Sequence, residues 1–284
     1  MKTGKGITVA IIVAALIVFA LLFGIIYMMR DVKSSPEDEP GTENAVNTEY
    51  YGTGETPEAA DIDAMIDSAA SLPDVPAPEG WYGAYESSGR PERVINFAPY
   101  IEKCPDVYAW IEIPGTNIDY PIAYCEDAVD PFYFTHDIDG NPSDSGMIIT
   151  DSMNAGDFSD PVTLIYGQDP GDGTMFSGLH DFRSAEFFKE HDSINIYMKD
   201  VQLLYRIYAC CIGPSDHILV NNDFNDPAAF TEYFDSIKDT RDLSMNIRDD
   251  AKPSIGDHVI TLVTHCDDEN KRLFVHAVLE KVYW

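Results

Sequence analysis

Positive charge is what this sequence lacks most. Its 284 residues include 18 Lys and Arg against 49 Asp and Glu, which gives a formal net charge of -31. Because a surface of this sign repels phosphate backbones, the composition excludes nucleic acid as a partner. Hydrophobic residues nevertheless make up 45% of the chain, and it contains 16 tyrosines. Most of its length is therefore expected to fold around a core rather than to stay disordered.

Cysteine is also scarce, and its positions follow neither a metal-ligand spacing nor a disulfide framework. We accordingly predict no metal and no cofactor. Cys210 and Cys211 lie inside an apolar run and are expected to be buried as small hydrophobic residues. Cys104 and Cys125 would pair only in an oxidising compartment, and Cys266 would then remain a free thiol.

One long stretch without charge lies near the N-terminus, from Ile7 to Met29. It is long enough to cross the ~30 Å hydrocarbon layer of a bilayer as one helix. No small-residue cleavage site follows it, and the chain continues directly to Arg30, so residues 1–33 are predicted to be an uncleaved membrane anchor. The charges flanking the span slightly favour a cytoplasmic N-terminus, which would leave the rest of the chain outside the cytoplasm.

Basic residues are missing altogether from residue 34 to about residue 80, where acidic residues, Pro, Gly, Ser and Thr dominate. Such a composition is typical of a self-repelling, extended linker. Residues 34–90 are therefore predicted to be a flexible tether, and residues 91–284 a folded domain.

The predicted domain is rich in short apolar runs separated by turn residues. A helix is predicted at 227–238, where Asp226 is the N-cap and Pro227 the first helical residue. Shorter helices are predicted at 93–104, 175–180 and 185–190. Strands are predicted at 107–113, 118–124, 147–150, 162–166, 194–198, 203–212, 259–266 and 272–282. About eight strands with few helices predict a mostly-β domain built as a small closed barrel.

A possible calcium loop is rejected on its spacing. Asp137, Asp139 and Asn141 stand where such a loop begins. However, Pro142 occupies the position that requires glycine, and Ile148 the position of the bidentate Glu. No metal site is predicted there.

The segment 260–279 gathers the residues with the most chemistry. Two β-branched, apolar runs flank a short acidic loop, with His265 and Cys266 ending the first run and Arg272 opening the second. A thiol, an imidazole and a guanidinium at one end of a sheet are the groups that nucleophilic acyl transfer uses. Three acidic residues directly follow the thiol, and their negative charge disfavours a thiolate.

Several strings resemble the class B sortase family. Residues 109–121 are similar to the opening of class B sortase domains. Residues 261–266, Thr-Leu-Val-Thr-His-Cys, resemble the family's Thr-Leu-x-Thr-Cys, which precedes a strand opening with Arg. Residues 166–169 (Tyr-Gly-Gln-Asp), with Gly-Thr-Met-Phe at 173–176, resemble the family's Tyr-Gly-His-Asn and Gly-Ser/Thr-Met-Phe. The resemblance covers roughly residues 97–279 and extends to the N-terminal anchor.

The resemblance implies a sortase-like closed eight-stranded β-barrel preceded by one transmembrane helix. Sortases are membrane-anchored cysteine transpeptidases of Gram-positive surfaces. Their thiolate cuts the sorting signal of a surface protein, and an amine of the cell wall or of a pilin releases the acyl-enzyme. The implied partners are therefore a sorting-signal peptide, an amine nucleophile and the membrane through Ile7 to Met29. The implied location is the cell membrane, with the folded domain facing the cell wall.

Residue by residue, the resemblance assigns catalytic roles to Cys266, Arg272, His265 and Gln168. It assigns substrate binding to Thr264 and Met175, which lie within the matching strings. In the family a His acts as acid or base, and the Arg stabilises the substrate and the oxyanion.

Two of these positions depart from the family pattern. Gln168 stands where the family has its His, and an amide cannot shuttle a proton near neutral pH. Counted from Thr261, His265 stands in the place of the cysteine. Because strand side chains alternate, either His265 faces the site and Cys266 points away, or a bulge restores Cys266 to the site.

The residues leave three functions open. The first is a working class B sortase, which requires the bulge and another proton-transfer group. The second is a non-catalytic sortase-fold protein that binds sorting-signal-like peptides or assists another sortase, and the third is a structural domain of the cell envelope. His276 shares a face with Arg272 but lies ~13 Å along the strand, too far to replace the missing base. The other histidines are expected to be surface or capping residues: His136, His180, His191, His217 and His258.

Overall fold

The structure is a computed structural model that describes residues 80–124, 132–239 and 245–284. The described residues all belong to one compact unit. Within them no helix combines the length and the apolar character that crossing a membrane requires. The predicted anchor from Ile7 to Met29, most of the predicted tether, and Cys125 lie outside the described residues.

The described residues form nine strands, which are β1 (Val107–Glu112), β2 (Asp119–Tyr124), β3 (Ile148–Thr150), β4 (Val162–Tyr166), β5 (Ser193–Met198), β6 (Val201–Pro214), β7 (Asn246–Ile247), β8 (Val259–His265) and β9 (Lys271–Tyr283). Their α-helices are α1 (Ala98–Lys103), α2 (Phe132–Thr135), α3 (Ala185–Glu190), α4 (Ile218–Asn221) and α5 (Pro227–Asp239). Short 3-10 helices cover Trp81–Ala84, Met175–Arg183 and Asp249–Ala251.

All nine strands join one sheet in the order β5-β1-β2-β3-β4-β8-β9-β6-β7. Pairing between β5 and β6 closes the first eight of them into a ring, so the predicted eight-stranded barrel is confirmed. The two-residue β7 pairs with β6 alone and lies outside the ring. The pairs β2–β3 and β4–β8 are parallel. As a result, β4 and β8 end side by side at one rim, where β9 begins.

The alternation of side chains divides β8 and β9 between two cores. Ile260 and Leu262 of β8 point into the barrel, together with Leu273 and Val275 of β9. The 3-10 helix Met175–Arg183, here called the plug, closes this interior at the rim with buried side chains: Phe176, Leu179 and Phe182.

The plug sits close to the end of β4 because the residue there is a glycine. A Cβ at position 167 would lie 2.6 Å from the ring of Phe176, well inside contact distance. Gly167 therefore permits an approach that any other residue would prevent.

Helix α5 covers the opposite side of the same strands, and its position was predicted from its sequence. The Oδ1 of Asp226 accepts a hydrogen bond from the N–H of Ala228, as expected of an N-cap. Phe230, Phe234 and Ile237 form one buried stripe that packs against β4, β8 and β9. The predicted helix at 227–238 is thus confirmed.

The predicted helix at 93–104 is shorter than expected and begins at Ala98. Pro99 stands in its first turn, where the missing N–H does no harm. A helix extending further back would place the proline ring against the carbonyl of residue 95.

Residues ahead of the predicted domain boundary at 91 also pack on the barrel. The indole N–H of Trp81 donates to the carbonyl of Asp157 at 2.7 Å. The Ser88 N–H donates to the Val282 carbonyl at 2.8 Å, and the Trp284 N–H to the Gly89 carbonyl at 3.0 Å. The start of the folded unit is therefore tied to the end of β9.

Cys104 and Cys266 are free thiols. Cys210 and Cys211 are buried in the cores on β6, which confirms their prediction as small hydrophobic residues. Cys104 is also buried, whereas Cys266 is half-buried at the rim.

Candidate functional site

Arg272 of β9 and His265 of β8 lie directly opposite each other at the rim, where they form the last pair of a regular ladder. The register between β8 and β9 is unbroken from Val259 opposite Val278 to His265 opposite Arg272. No extra residue is accommodated within this paired stretch. His265 therefore shares the face of Arg272, and the structure adopts the first of the two arrangements that the sequence left open.

The face in question is the side of β4, β8 and β9 that carries Tyr166, Val263 and Phe274, here called the outer face. These side chains belong to the core beneath α5 rather than to the barrel interior. Because side chains alternate along a strand, His265 continues the outer set after Val263, and Arg272 precedes Phe274 in the same set.

Cys266 faces the other side. It follows the inward series of Ile260, Leu262 and Thr264, and its side chain packs against the barrel interior. Its Sγ donates to the carbonyl of Asp268 at 3.6 Å. The structure thus brings His265, and not Cys266, together with Arg272.

Gln168 lies at the end of β4 on the outer face. The Gly167 N–H donates to the Val263 carbonyl at 3.2 Å, which extends the β4–β8 ladder beyond Tyr166. The Gln168 Nε2 donates to the Phe134 carbonyl at 3.2 Å, and the Phe134 ring meets the ring of Tyr166 edge-on. Gln168 and Tyr166 are therefore on the same side of the sheet.

The two residues predicted to bind substrate have buried side chains. The Thr264 hydroxyl donates to the Gly167 carbonyl at 2.8 Å and is 2% exposed, so it ties β8 to β4. Met175 begins the plug, and its N–H donates to the Tyr120 hydroxyl at 3.2 Å. In the structure both residues hold the rim together.

The surroundings of His265 at the rim keep its imidazole neutral near neutral pH. Burial lowers the pKa of His265 below its ordinary value, and the positive charge of Arg272 lowers it further, against a smaller opposing effect of Asp169. The Arg272 guanidinium donates to the carbonyls of Glu269 at 3.0 Å and Lys271 at 2.7 Å. A neutral imidazole therefore lies beside a permanent cation that is anchored on the β8–β9 loop.

A second group of polar residues on this face was not predicted. The buried carboxylate of Asp151, just after β3, accepts hydrogen bonds from the Tyr166 hydroxyl at 3.0 Å and the His217 Nε2 at 2.8 Å. Burial and the charge of Asp151 raise the pKa of Tyr166, while Arg272 opposes this, so the group lies within electrostatic range of Arg272. No spacing links Asp151 to His217 in the sequence. His217 was expected to be a surface or capping residue, and it is the N-cap residue of α4, but its side chain bonds Asp151 rather than the helix.

A third polar group borders the rim from the plug. The Nε2 of His180 lies 3.0 Å from the Asp169 Oδ2 and 3.1 Å from the carbonyl of His265. The Ser177 hydroxyl donates to the Asp169 Oδ1 at 2.5 Å. A cavity of about 460 Å³ opens beside them, and its lining includes Asp169, Ser177, His180 and Asp181.

The outer face therefore offers a cation, a neutral imidazole and an amide, without a thiol next to the cation. These groups can donate hydrogen bonds to carbonyl or carboxylate oxygens and accept them from N–H groups. They can bind an extended peptide, but they do not by themselves form the nucleophile of acyl transfer.

Comparison with known proteins finds similarity to sortase B from two organisms. The chain is 28% identical over 164 residues to sortase B of Listeria monocytogenes, which covers 58% of this chain and 64% of that protein. It is 26% identical over 181 residues to sortase B of Staphylococcus aureus, covering 62% and 71%. The chain thus spans slightly less than two thirds of the Listeria protein. No family model matches the sequence.

Among solved structures, a Streptococcus pyogenes class B sortase involved in pilus biogenesis is similar to the chain. The two have a TM-score of 0.55 and 27% sequence identity, and the match covers 66% of this chain and 98% of the other. These similarities agree with the closed barrel of the structure. The chain is therefore similar to class B sortases in both sequence and fold.

Proposed function

We propose that this protein binds sorting-signal peptides of surface proteins on the outer face, and that it does so without turnover through Cys266. The observation that carries the proposal is the unbroken ladder that sets His265 opposite Arg272. In the sortase pattern a cysteine occupies that position, so the recognition cation is kept while the nucleophile is replaced.

The chemistry of the rim supports binding rather than cleavage. Arg272 can hold peptide carbonyl or carboxylate oxygens with several N–H groups at once. His265, neutral because of its lowered pKa, can both donate and accept hydrogen bonds. Gln168 cannot transfer a proton near neutral pH, and losing a general acid–base typically costs about 10²–10⁴-fold in rate.

The proposal includes a location, which the sequence alone supports. The apolar segment from Ile7 to Met29 would anchor the chain in the cell membrane in a single pass, and the acidic tether would hold the barrel outside, facing the wall of a Gram-positive cell. Protease treatment of intact cells tests this placement. The barrel should be cleaved or released without lysis, and a barrel protected until lysis would contradict the proposal.

Peptide binding is tested with fluorophore-labelled synthetic sorting-signal peptides that contain the Thr cleavage site. Arg272→Ala should weaken the affinity by about tenfold or more, as expected for loss of a charged hydrogen-bond donor. Lys271→Ala is the matched control, because it removes the same charge from the neighbouring strand position and should change the affinity by less than about twofold. Equal effects of the two variants would contradict the proposed site. If the wild-type protein binds no peptide, the proposal is wrong, and the structural role in the cell envelope is the function that remains.

Turnover by a transpeptidase mechanism is the second candidate, and one observation favours it. Cys266 is half-buried rather than enclosed, and the preceding carbonyl of His265 contacts the His180 that pairs with Asp169. A thiol near an Asp–His pair can be activated if its side chain turns toward that pair. The acceptor would then be an amine of the cell wall or of a pilin.

Thiol labelling separates the two candidates. The variant Cys125→Ser removes the cysteine that lies outside the described residues. Since Cys104, Cys210 and Cys211 are buried, a thiol-selective reagent at neutral pH then reports on Cys266. Slow labelling, with no acyl-enzyme detectable by mass spectrometry after incubation with peptide, is expected. Fast labelling together with an acyl-enzyme on Cys266 would favour the transpeptidase over the binding protein.

A further inference from the structure

We propose that His217, held by the buried carboxylate of Asp151, is a positioning residue that fastens the connection after β6 across the outer face. By doing so it makes peptide affinity depend on the charge of its imidazole. This inference rests on the proposed function, because it names the element that would form one wall of the peptide site.

The path of the chain places this connection over the site. The segment, residues 215–221, is here called the strap. It leaves β6 where Gly213 pairs with Arg272, and the Ser215 N–H donates to the Asn270 carbonyl at 2.9 Å. Two residues later, His217 reaches Asp151 at the end of β3. In the sheet, β9, β8 and β4 lie between β6 and β3, so the strap crosses the strands that carry Arg272, His265 and Tyr166.

The middle of the strap rests on the outer face. Ile218, the first residue of α4, is buried in the same cluster as Val263 and Phe274. Leu219 packs against that cluster, while Val220 is 67% exposed. The strap therefore packs on the outer face through Ile218 and Leu219 and exposes the apolar side chain of Val220 beside the proposed site.

The far attachment point is a preorganised acceptor. Asp151 is 7% exposed, and its Oδ1 accepts from the Met153 N–H at 2.8 Å. Its Oδ2 accepts from Tyr166 at 3.0 Å and from His217 at 2.8 Å. Met153 and Tyr166 belong to the barrel side, whereas His217 is the partner that the strap contributes. Loss of that bond would release the strap at this end.

Charge strengthens the bond over a defined pH range. The titratable groups on the face that the strap crosses are Asp151 after β3, Tyr166 on β4, His265 on β8 and Arg272 on β9, with Asp216 next to His217 on the strap itself. The hydrogen bond to Asp151 raises the pKa of His217 above its ordinary value of 6.5, against the effect of burial. For Asp151, burial favours a higher pKa, but the bonds from His217 and Met153 outweigh it, and the pKa is lowered below 3.8.

The bond between His217 and Asp151 weakens as the pH rises through the raised pKa of His217. A group whose pKa is raised by its partner contributes fully below its ordinary pKa, and the contribution is lost as pH rises through the raised value. The Asp151 contribution is lost only as pH falls below 3.8. The fastened strap is therefore strongest in mildly acidic solution and weakens as His217 deprotonates. His265, with its lowered pKa, remains neutral throughout that upper range.

The peptide affinity of four proteins, measured from about pH 6.5 to about pH 9 with the labelled sorting-signal peptides, tests the inference. Wild-type affinity should fall by about three- to tenfold over this range, since a charge-assisted bond is roughly twice as strong as a neutral one. His217→Gln keeps a donor that cannot ionise, so its affinity should be flat and close to the high-pH value of the wild type. His217→Ala should bind weakly at every pH.

The matched control is His258→Gln, which makes the same substitution at a histidine that bonds the Asp160 carbonyl at the start of β8, away from the rim. It should keep the wild-type profile. If His217→Gln shows the same pH dependence as the wild type, the inference is wrong while the proposed function stands.

A measurement without peptide distinguishes the two proposals. Hydrogen exchange of the Ser215 and Asn222 amides should be several-fold faster in His217→Ala than in the wild type, while the β8 amides are unchanged. If the wild type binds no peptide, the proposed function fails and the affinity role of His217 fails with it, whether or not exchange shows a fastened strap. If peptide binds and exchange is unaffected by the substitution, the strap inference alone is overturned.

Discussion

At the end of β8, one residue decides which side chain meets Arg272. The ladder with β9 is regular up to His265, so the imidazole occupies the outer face and the sulfur of Cys266 turns toward the barrel interior. A shift of one residue in a strand exchanges its two faces. The length of the run between Thr261 and Cys266 therefore determines the chemistry of the rim.

Shortening that run should restore a thiol to the outer face. Deletion of His265 leaves Thr-Leu-Val-Thr-Cys, which sets Cys266 opposite Arg272. Combined with Gln168→His, the deletion should produce peptide cleavage about 10²–10⁴-fold above the level of the deletion alone. Cleavage is measured by chromatography, and the acyl-enzyme by mass spectrometry.

The control for this experiment is Gln168→His in the full-length sequence, in which Cys266 still faces the interior. No gain is expected from it. A substantial gain in that variant would mean that Cys266 already reaches the outer face, which contradicts the register described above.

His276 is fully buried, and we expect it to make folding stability depend on pH. Its Nδ1 lies 2.9 Å from the Thr261 hydroxyl and its Nε2 3.8 Å from the Cys211 sulfur. Burial lowers its pKa to about 3. The unfolded chain therefore binds one more proton than the folded chain as pH falls from 6.5 to about 3, and folding stability decreases in that range.

Denaturant unfolding of the wild type and of His276→Leu, compared at several pH values, measures this effect. The wild type should lose stability on acidification more steeply than the variant, by up to about 1.4 kcal/mol per pH unit. His258→Leu serves as the control and should retain the wild-type slope. Parallel pH profiles for the wild type and His276→Leu would contradict a neutral buried His276.

Local sequence patterns predicted the residues of the rim better than its long-range bonds. Arg272 and His265 could be placed because they flank one short loop, and alternation offered two arrangements for Cys266. Only the three-dimensional pairing decides between them. The bond between Asp151 and His217 joins residues 66 positions apart across three strands, and neither residue belongs to a periodic pattern that would indicate it.

At the scale of elements, helix α5 shows what periodicity can establish. The sequence predicted its N-cap, its first residue and its apolar stripe, and the helix packs on the sheet through that stripe. The segment 80–90 shows the limit. The predicted tether was extended to residue 90, yet Trp81 packs against His258 and the Ser88 N–H donates to the Val282 carbonyl of β9. Composition describes average solubility and does not detect a few specific contacts.

The packing of α5 on the outer side of β8 and β9 predicts a large effect of one substitution. Phe234 is fully buried among aromatic side chains of the helix and of β6. Phe234→Ala should lower the free energy of unfolding by about 3–5 kcal/mol, because it leaves a cavity that the surroundings fill only partly. Chemical denaturation measures the change.

The control is Val220→Ala on α4, where the side chain is 67% exposed. Its effect should stay within about 0.5 kcal/mol. A loss below about 1 kcal/mol for Phe234→Ala would mean that α5 is not firmly packed on the sheet.

At the scale of the whole molecule, the charge of -31 opposes compaction. Like charges repel one another across the surface, and salt screens that repulsion. Raising NaCl from roughly 20 mM to roughly 0.5 M, which shortens the screening length from about 20 Å to about 4 Å, should raise the melting temperature by about 2–5 °C.

The measurement is calorimetry of the full chain at neutral pH, with an equal osmolality of sucrose as the control for effects on water rather than on charge. A melting temperature that falls with added NaCl would indicate that attractive ion pairs, and not net repulsion, dominate the electrostatic free energy.

The ties of Ser88 and Gly89 to the end of β9 bring both chain ends of the folded unit together. Arg272 stands at the opposite end of that strand, ten residues before Val282 and so roughly 30 Å away. A fluorophore, fusion partner or sensor surface joined after Trp284 would therefore be attached at the pole remote from His265 and Arg272. Protein immobilised in this way presents the rim with His265 and Arg272 outward, where an added peptide reaches it unhindered.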